Sequence, residues 1–381
     1  MPLIVCAFWL AFPSIGTVFK YLGVPGLVSY SAVVLASLWA IRVWVLPRLT
    51  TYLTERQALV LAAFTLMALI AIFVWIHPLV SAPRPGHGSD RNEAMNLATS
   101  ALLHGRYPYH SRTYLGNPLS PLPGSILLAV PFAWLGDSGY QTFFWLAIFF
   151  LTLRRELQGS RPALLLMWIA LTLSPVVVQE VMTGGDLLAN ALYLMVFALS
   201  LLRRARERSG WAYAGLFGVG LSSRANFLLL VPLGLVALAE RAGWGRALKL
   251  TAVSCATFGV VTVPFYLASP GGFSPLHTLR TFDAASARVP WLGVFVFVLD
   301  ASLAVALAFL RPSRTDAGFL RNCALVLAVP VVSLAIVLGL RTGAAGVDSV
   351  GYGLCFLFFG LLSCAKISLD PGLLISPVPR F

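Results

Sequence analysis

Charged side chains are scarce in this chain of 381 residues: they make up 11% of it, whereas a soluble domain carries roughly 25%. Hydrophobic residues make up 59%. Apolar stretches of about 20 residues recur from end to end, long enough to cross a hydrocarbon core as helices. The stretches are continuous and do not alternate, which argues against sheet. The sequence therefore predicts an all-α protein, a polytopic transmembrane helical bundle.

Cysteine and histidine are also rare, with five residues of each. The cysteines lie in or beside apolar runs without ligand-like spacing, so neither disulfides nor metal ligands are expected. Three of the histidines are scattered around one loop, also without ligand spacing. The first apolar run lacks a basic leader and passes into Pro13 and Lys20, so no cleavable signal is expected.

Acidic residues are outnumbered, with 14 Asp and Glu against 27 Lys and Arg and a net charge of +13. No basic run alternates with aromatic residues as a nucleic-acid groove requires, so no nucleic-acid partner is expected. Beyond residue 150, fifteen basic residues fall in one set of loops and four in the other. The positive-inside rule makes the first set cytoplasmic. Before residue 150, three basic residues fall on the predicted cytoplasmic side and five on the outer side, which is the opposite of what the rule expects.

The apolar runs predict one domain over 1–381, a multi-pass protein of the plasma (inner) membrane with both termini cytoplasmic. Ser222, Ser223 and Arg224 interrupt the apolar pattern, which predicts a broken helix pair. We expect about twelve spans, near 3–19, 24–46, 57–76, 140–153, 163–180, 187–202, 211–222, 225–240, 248–268, 291–310, 320–340 and 350–366.

The longest polar interruption, 88–135, lies in a predicted first outer loop over 77–138. A loop that only connects two spans does not need many charged and polar side chains, so a function is expected here. The apolar piece 124–136 contains Pro131 and is short for a span, which favours an interfacial or re-entrant helix. If it does not cross, the loop lies on the outer face. The polar residues of the loop are Asp90, Arg91, Glu93, His104, Arg106, Tyr107, Tyr109, His110, Arg112 and Asn117.

An amphipathic, juxtamembrane helix is predicted within this loop. Apolar residues recur at helical spacing from Ala94 to Leu102, and Gly105 is a plausible end. Asp90 with Glu93 three residues later resembles a capping box, so both carboxylates have a purely structural interpretation. The alternative is chemical: a carboxylate at this helix end could meet an acceptor from water and a donor from the bilayer. A divalent ion held by Asp90 and Glu93 is a third, weaker alternative.

The residues of the loop resemble the first outer loop of GT-C superfamily glycosyltransferases, and are closest to glycosyltransferase family 87. The resemblance rests on Asp90, the string ALLHGRYPY over 101–109, and a proline-led apolar piece from Pro121 to Gly136. A later stretch, AGLFGVGL over 214–221 with Arg224 and Asn226 after it, is similar to the paired helices of that family. The match covers roughly 90–240, and the remainder agrees only in hydropathy.

The resemblance implies transfer of a sugar, mannose or another monosaccharide, from a polyprenyl-phosphate donor to an envelope glycan or glycolipid acceptor at the outer face. Inversion at the anomeric carbon is implied, with Asp90 as the catalytic base. No cofactor is implied beyond the lipid-linked sugar phosphate, and the partners are donor, acceptor and membrane lipids. Two departures bear on the donor: Arg91 and Asn92 follow Asp90 where an aromatic residue is common, and Arg224 stands where Lys is common.

The other candidate residues each have a structural alternative. Arg224 is the candidate ligand of the donor phosphate, or it snorkels to the interface. Asp186 orients the acceptor or caps the following helix. Asp300 lies mid-span and should face protein or a cavity. A second outer loop, 269–290, supplies further candidate phosphate ligands. The structural alternative is that its polar residues are ordinary residues of the membrane interface. The remaining substrate-binding candidates are Arg91, Glu93, Tyr107, Tyr109, Arg112, Asn117, Asn226, His277, Arg280 and Arg288.

Two rival functions remain open at this point. A transporter or flippase of lipid-linked saccharides predicts inverted repeats and discontinuous helices meeting at mid-membrane. No repeat is evident, and the polar residues gather towards one face. A non-catalytic scaffold in an envelope-assembly complex is the third class.

Overall fold

A computed structural model describes residues 3–81, 89–276, 292–310, 315–342 and 350–369. The described residues are 87% helical and contain no strand, only an isolated bridge between Arg112 and Pro118. The predicted all-α class is confirmed. His277, Arg280 and Arg288, with most of the predicted second outer loop, lie outside the described residues.

The connections between the described helices differ in length, and the one from 104 to 122 is long. They are α1 (Leu3–Ala11), α2 (Ile15–Ala40), a π-helical turn (Ile41–Val45), α3 (Leu46–Tyr52), α4 (Glu55–Val80), α5 (Arg91–Leu103), α6 (Pro123–Trp134), α7 (Gln141–Glu156), α8 (Ser160–Leu173), α9 (Pro175–Thr183), α10 (Asp186–Arg203), α11 (Gly210–Leu221), a 3₁₀ turn (Ala225–Leu229), α12 (Leu230–Ala242), α13 (Trp244–Ala268), α14 (Leu292–Leu310), α15 (Asp316–Thr342) and α16 (Leu354–Leu369).

Seven helical segments in the described ranges are long and apolar enough to cross a membrane, or eight if one sharply bent pair counts as a span. The first segment, Leu3–Leu49, contains a backbone break at Gly23 (φ 64°), where two spans were predicted. Outside these segments, the apolar helices α6 and α11 have 12 residues each, the apolar part of α14 is Val294–Leu310, and α7 has 16 residues. A multi-pass helical membrane protein is therefore supported, while the count of about twelve spans is not.

One predicted span, 163–180, is wrong as a single helix. The chain bends by 86° between α8 and α9. Ser174 at the bend has extended backbone (φ −125°, ψ 91°) because the proline that follows it disfavours helical geometry. The Ser174 hydroxyl lies 3.0 Å from that of Ser14, so the bend is also held by a side-chain hydrogen bond.

α10 forms the centre of the bundle. All its residues from Asp186 to Leu202 are buried except Ser200, and α7, α9, α11 and α16 pack around it. A helix that is apolar nearly all round can be buried on every side, and here other helices of the protein surround it. The polar residues on α10 must therefore find partners inside the protein.

The bundle has two chemically different ends. At the first, called here the α5 end, α5 contacts the last turns of α4 and α9 and the start of α7. At the second, the arginine-rich end, the end of α7 meets the ends of α10 and α16, and α12 meets the start of α15. Both predicted paired helices and the polar loop meet at the α5 end.

The short helix α6 stays at the α5 end. Its first residues bond to the break between α11 and α12: the Gly124 amide donates to the Ser222 carbonyl at 2.7 Å, and the Leu122 amide to that of Ser223 at 3.3 Å. Asp137, just after α6, lies 3.4 Å from His77 at the end of α4. Twelve residues span only about 18 Å, so α6 does not run the length of the bundle, as predicted for 124–136.

The predicted break at Ser222 is observed, and the backbone carbonyls of Ser222 and Ser223 accept hydrogen bonds. Ser222 and Ser223 are fully buried. Irregular backbone inside an apolar bundle is tolerated only where protein or water supplies hydrogen bonds. Here the amide groups at the start of α6 supply them, which couples the polar loop to the paired helices.

Candidate active site at the α5 end

The predicted amphipathic helix is present as α5, and it buries Ala94, Met95 and Ala98 against α6 and its surroundings. Gly105 (φ 66°) follows its end, a conformation that glycine adopts without strain. Asp90 precedes the helix. Its backbone (φ −90°, ψ 6°) is not that of a capping residue, and its side chain makes no cap hydrogen bond. The capping-box interpretation of Asp90 and Glu93 is therefore wrong.

The Asp90 carboxylate instead faces a tight turn 23 residues later. Thr113 donates its hydroxyl to Asp90 Oδ2 at 2.6 Å, and Asn117 donates its amide to the same oxygen at 2.8 Å. In the described part of the chain Oδ1 makes no hydrogen bond, and Asp90 is only half-buried. One oxygen is thus fixed, and the other is free to accept a proton.

The turn from 112 to 118 is built to present these two donors. The Thr113 amide bonds to the Asn117 carbonyl at 3.0 Å, and Gly116 adopts a positive φ of 77° that favours glycine. Arg112 donates to the Gly116 carbonyl at 3.0 Å. Of the predicted substrate ligands, Arg112 and Asn117 therefore act on the turn and on Asp90.

Glu93 also contacts this turn. Its carboxylate accepts the backbone amide of Tyr114 at 2.9 Å. Burial, and then the charges of Asp90 and Glu93, raise the pKa of the Tyr114 hydroxyl. Both carboxylates of the first α5 turn are therefore close to the 112–118 turn, and the helix and turn form one unit.

Arg91 turns the opposite way, into the bundle. It forms an ion pair with Glu180 of α9, which is buried, and lies 5.1 Å from the ring centre of Tyr352. Burial opposes the charge of Arg91, but Glu180, Tyr352 and Asp186 raise its pKa above the ordinary value. Neighbouring residues thus face different environments. Asp90 faces the 112–118 turn, and Arg91 faces the interior of the bundle.

Arg224, at the break between α11 and α12, makes the second ion pair. It donates to Asp186 Oδ2 at 2.5 Å, and Asn190 donates to the same oxygen at 2.9 Å. The Tyr193 hydroxyl bridges Asn190 and Ser223 at 2.6 and 2.5 Å. Asp186 makes no cap hydrogen bond through its side chain in the described structure, so its alternative role as a helix cap is not observed.

This charge cluster, defined as Arg91, Glu180, Asp186 and Arg224, has two positive and two negative groups. Among the described residues, one oxygen of each carboxylate and the Arg224 Nε are buried without a hydrogen-bond partner. Buried charges need compensation, and guanidinium groups have five donors each. The cluster is electrically balanced but retains unused hydrogen-bonding capacity.

A polar network that sequence reasoning missed joins α5 to the end of α4 and to Asp137, which lies between α6 and α7. Asn92 donates to Asp137 Oδ1 at 2.8 Å and lies 3.2 Å from His77 Nε2, while Asn96 donates to Asp137 Oδ2 at 3.3 Å. Burial raises the pKa of Asp137, but the hydrogen bonds from His77, Asn92 and the Gly139 amide lower it overall. The one available signal was the position of Asp137 directly after the short apolar piece.

Several other predicted ligands are occupied by structural contacts. Tyr107 donates to the Phe265 carbonyl at 2.9 Å, and Tyr109, which is buried, donates to the Pro121 carbonyl at 2.9 Å. Asn226 donates to the Cys355 sulfur at 3.7 Å. These contacts favour roles in packing the loop and the paired helices. Within the described ranges, no three His, Cys, Asp or Glu side chains converge as metal ligands.

The α5 end therefore holds Asp90, Glu93 and Asn117, together with the ion pairs of Arg91 with Glu180 and of Arg224 with Asp186. Sequence reasoning missed Glu180 as the partner of Arg91, because 89 residues separate the two. Comparison with protein-family models, curated proteins and solved structures finds no match to this chain.

Proposed function

We propose that the chain is an integral-membrane, inverting glycosyltransferase of the GT-C type. It transfers mannose or another monosaccharide from a polyprenyl-phosphate donor to an envelope glycan or glycolipid. The observation that carries the proposal is the arrangement at the start of α5: a half-buried carboxylate with one free oxygen is followed directly by an arginine in a buried charge cluster.

The proposed mechanism assigns different steps to the two neighbouring residues. Asp90 Oδ1 removes the proton of the acceptor hydroxyl, whose oxygen then bonds to the anomeric carbon. The bond from that carbon to the phosphate oxygen breaks, and its electron pair leaves with the polyprenyl phosphate. Arg224 and Arg91 stabilise the negative charge of the leaving phosphate, commonly the largest contribution to such catalysis.

The ion pairs of both arginines are compatible with this role. Arg224 keeps its Nε without a partner in the described structure, and a guanidinium can bind a carboxylate and a phosphate together. Glu180 and Asp186 hold the arginines in place when no donor is bound. The apolar bundle beside them provides the route by which a lipid tail reaches the site without leaving the bilayer.

In the proposed orientation, the α5 end lies on the outer face of the plasma membrane and both termini lie in the cytoplasm. The basic residues concentrated at the opposite end support this orientation through the positive-inside rule. The exposed positions Leu115 and Arg208 lie at opposite ends and allow a test. In a cysteine-free background, an impermeant maleimide added to intact cells should label Leu115→Cys and not Arg208→Cys. The reverse pattern contradicts the orientation.

The catalytic proposal is tested with purified protein, a labelled polyprenyl-phosphate hexose and a cell-envelope acceptor fraction. The wild type should transfer label, and Asp90→Asn should reduce transfer by about 10²- to 10⁴-fold, the usual contribution of a general base. Glu207→Gln, an exposed carboxylate paired with Arg204 at the other end, is the matched control and should retain activity. Full activity of Asp90→Asn overturns the assignment.

A flippase or transporter of lipid-linked saccharides is the alternative, and the buried charge cluster is the observation that favours it. Ionisable groups inside helical membrane proteins often mark transport pathways. The cluster lies at one end of the bundle, however, whereas transporters bind near the midplane. Movement of labelled donor across proteoliposomes without any sugar transfer would support the alternative.

A further inference from the structure

Helix α14 carries a carboxyl group into the interior of the bundle. Its buried positions recur every four residues at Val296, Asp300, Ala304 and Ala308, so they form the stripe that faces α12 and α15. Asp300 is 2% exposed. Neighbouring positions such as Phe295 and Val298 are exposed and form the outer, lipid-facing side. Asp300 therefore faces protein and not lipid.

Asp300 has no compensating partner in the described part of the chain. Its Oδ1 is buried without a hydrogen bond, and no described basic side chain forms an ion pair with it. The charged residues of the neighbouring elements lie towards the helix ends. They are Arg224 before the 3₁₀ turn, Glu240 and Arg241 of α12, Arg246 and Lys249 of α13, and Asp316, Arg321 and Arg341 of α15. The other titratable residues on these elements are Cys255 and Tyr266 of α13 and Cys323 of α15.

The register of α14 and α15 separates Asp300 from these charges. Asn322 donates to the Leu307 carbonyl at 3.4 Å, which fixes the two antiparallel helices. Asp300 lies seven residues before Leu307, about 10 Å further along the helix, opposite the turn of α15 that contains Pro330. Proline has no amide hydrogen and leaves a helical carbonyl without its donor. This part of the interior lacks donors.

An ionised carboxylate in such a place is costly, because neither water nor a cation compensates it. A protonated carboxyl is neutral and supplies a hydrogen-bond donor. We propose that Asp300 is a proton-binding site in the interior of the bundle, where the carboxyl holds one proton at neutral pH. The proton is released to water, leaving the carboxylate, only when α14 opens from α12 and α15. This site is independent of the proposed sugar transfer.

Dicyclohexylcarbodiimide tests the proposal on the wild-type protein in detergent, since this apolar reagent adds to protonated carboxyls to give a stable acylurea. Asp300 should gain the mass of one reagent at neutral pH, and the rate should fall roughly tenfold for each pH unit above the midpoint of its titration. Asp316, a carboxylate paired with Arg241 and Lys366, is the internal control and should remain unmodified. An unmodified Asp300 peptide overturns the proposal.

Two further measurements distinguish a protonated Asp300 from a charged carboxylate and from a cation site. Asp300→Asn, a neutral isostere, should keep the thermal unfolding midpoint of the wild type at neutral pH, because the wild-type side chain is already neutral. A large loss of stability would mean that the charged form is required. Sodium chloride should not protect Asp300 from the reagent beyond an equal concentration of choline chloride. Specific protection by sodium would make the site a cation site and overturn the proton assignment.

Discussion

The two ends of the bundle use buried ion pairs differently. At the arginine-rich end, Glu156 pairs with Arg203 and Lys366, both at 2.6 Å, and Asp316 pairs with Arg241 and Lys366. Each carboxylate there has two cations. At the α5 end, Glu180 and Asp186 form one ion pair each, and each has an oxygen without a partner in the described structure.

The difference separates a structural network from a candidate site. At the arginine-rich end both oxygens of each carboxylate contact a cation, and these pairs tie α7, α10, α12, α15 and α16 together. Unsaturated pairs at the α5 end hold charge in place with hydrogen-bonding groups unused. Buried ion pairs contribute little net stability but are costly to break, so the two ends should respond differently to substitution.

The largest effect is expected at the arginine-rich end. Glu156→Gln leaves two cations without their buried carboxylate and should lower the free energy of unfolding by about 3–5 kcal/mol. Glu180→Gln removes the partner of only one cation and should cost less, about 1.5–3 kcal/mol. Thermal unfolding in detergent compares them. A larger loss for Glu180→Gln would contradict the proposed contrast.

Arginine substitutions at the two ends should separate binding from stability. In the proposed enzyme, Arg224→Gln should raise the KM for the lipid-linked donor about tenfold, close to 1.4 kcal/mol, because one phosphate ligand is lost. It should also lower kcat, because the charge on the leaving phosphate loses a stabilising group. Arg203→Gln removes a comparable buried pair at the other end and should lower stability without changing KM. An unchanged KM in active Arg224→Gln protein would contradict the role of Arg224.

A smaller effect is expected where the 112–118 turn fixes Asp90. Thr113→Val keeps the shape of the side chain but removes the donor to Oδ2, and should reduce kcat roughly tenfold with KM unchanged. Thr152→Val is the matched control, since that hydroxyl bonds only within its own helix, to Ile148 at 2.9 Å. Equal losses in both variants would show a general effect of removing a hydroxyl.

The smallest effect concerns pH and the network around Asp137. Its pKa is lowered from 3.8 in the folded protein, so its stabilisation is present above that value and is lost as the pH falls through the lower, folded-state pKa. The wild type should lose about 1 kcal/mol more than Asp137→Asn on acidification below that value. Unfolding midpoints measured from neutral pH downwards test this, and parallel curves for both proteins would contradict it.

The sequence predicted features that depend on local pattern. Helix α5, its end at Gly105, the short α6 and the break at Ser222 all follow from periodicity or from polar interruption. The bend at Ser174 was missed because apolar character continues across it, although Pro175 was a local signal. The carboxylate of Asp90 was predicted to be important, but its partners Thr113 and Asn117 depend on a turn that no periodicity reveals.

Partners distant along the chain could not be predicted. Arg91 and Glu180 meet only because the bend between α8 and α9 brings the end of α9 towards α5. The same holds for His77, Asn92 and Asp137, which lie on three different elements. Such pairs are set by tertiary packing, and a single sequence gives no record of them.

Gly124 determines how closely the start of α6 can pack against the break between α11 and α12. A methyl group there would press into the main-chain oxygens of Val219 and Ser222, and backbone cannot rotate aside as a side chain can. One added carbon atom would therefore push the start of α6 away from the break between α11 and α12. The fit of the polar loop on the paired helices thus depends on one missing side chain.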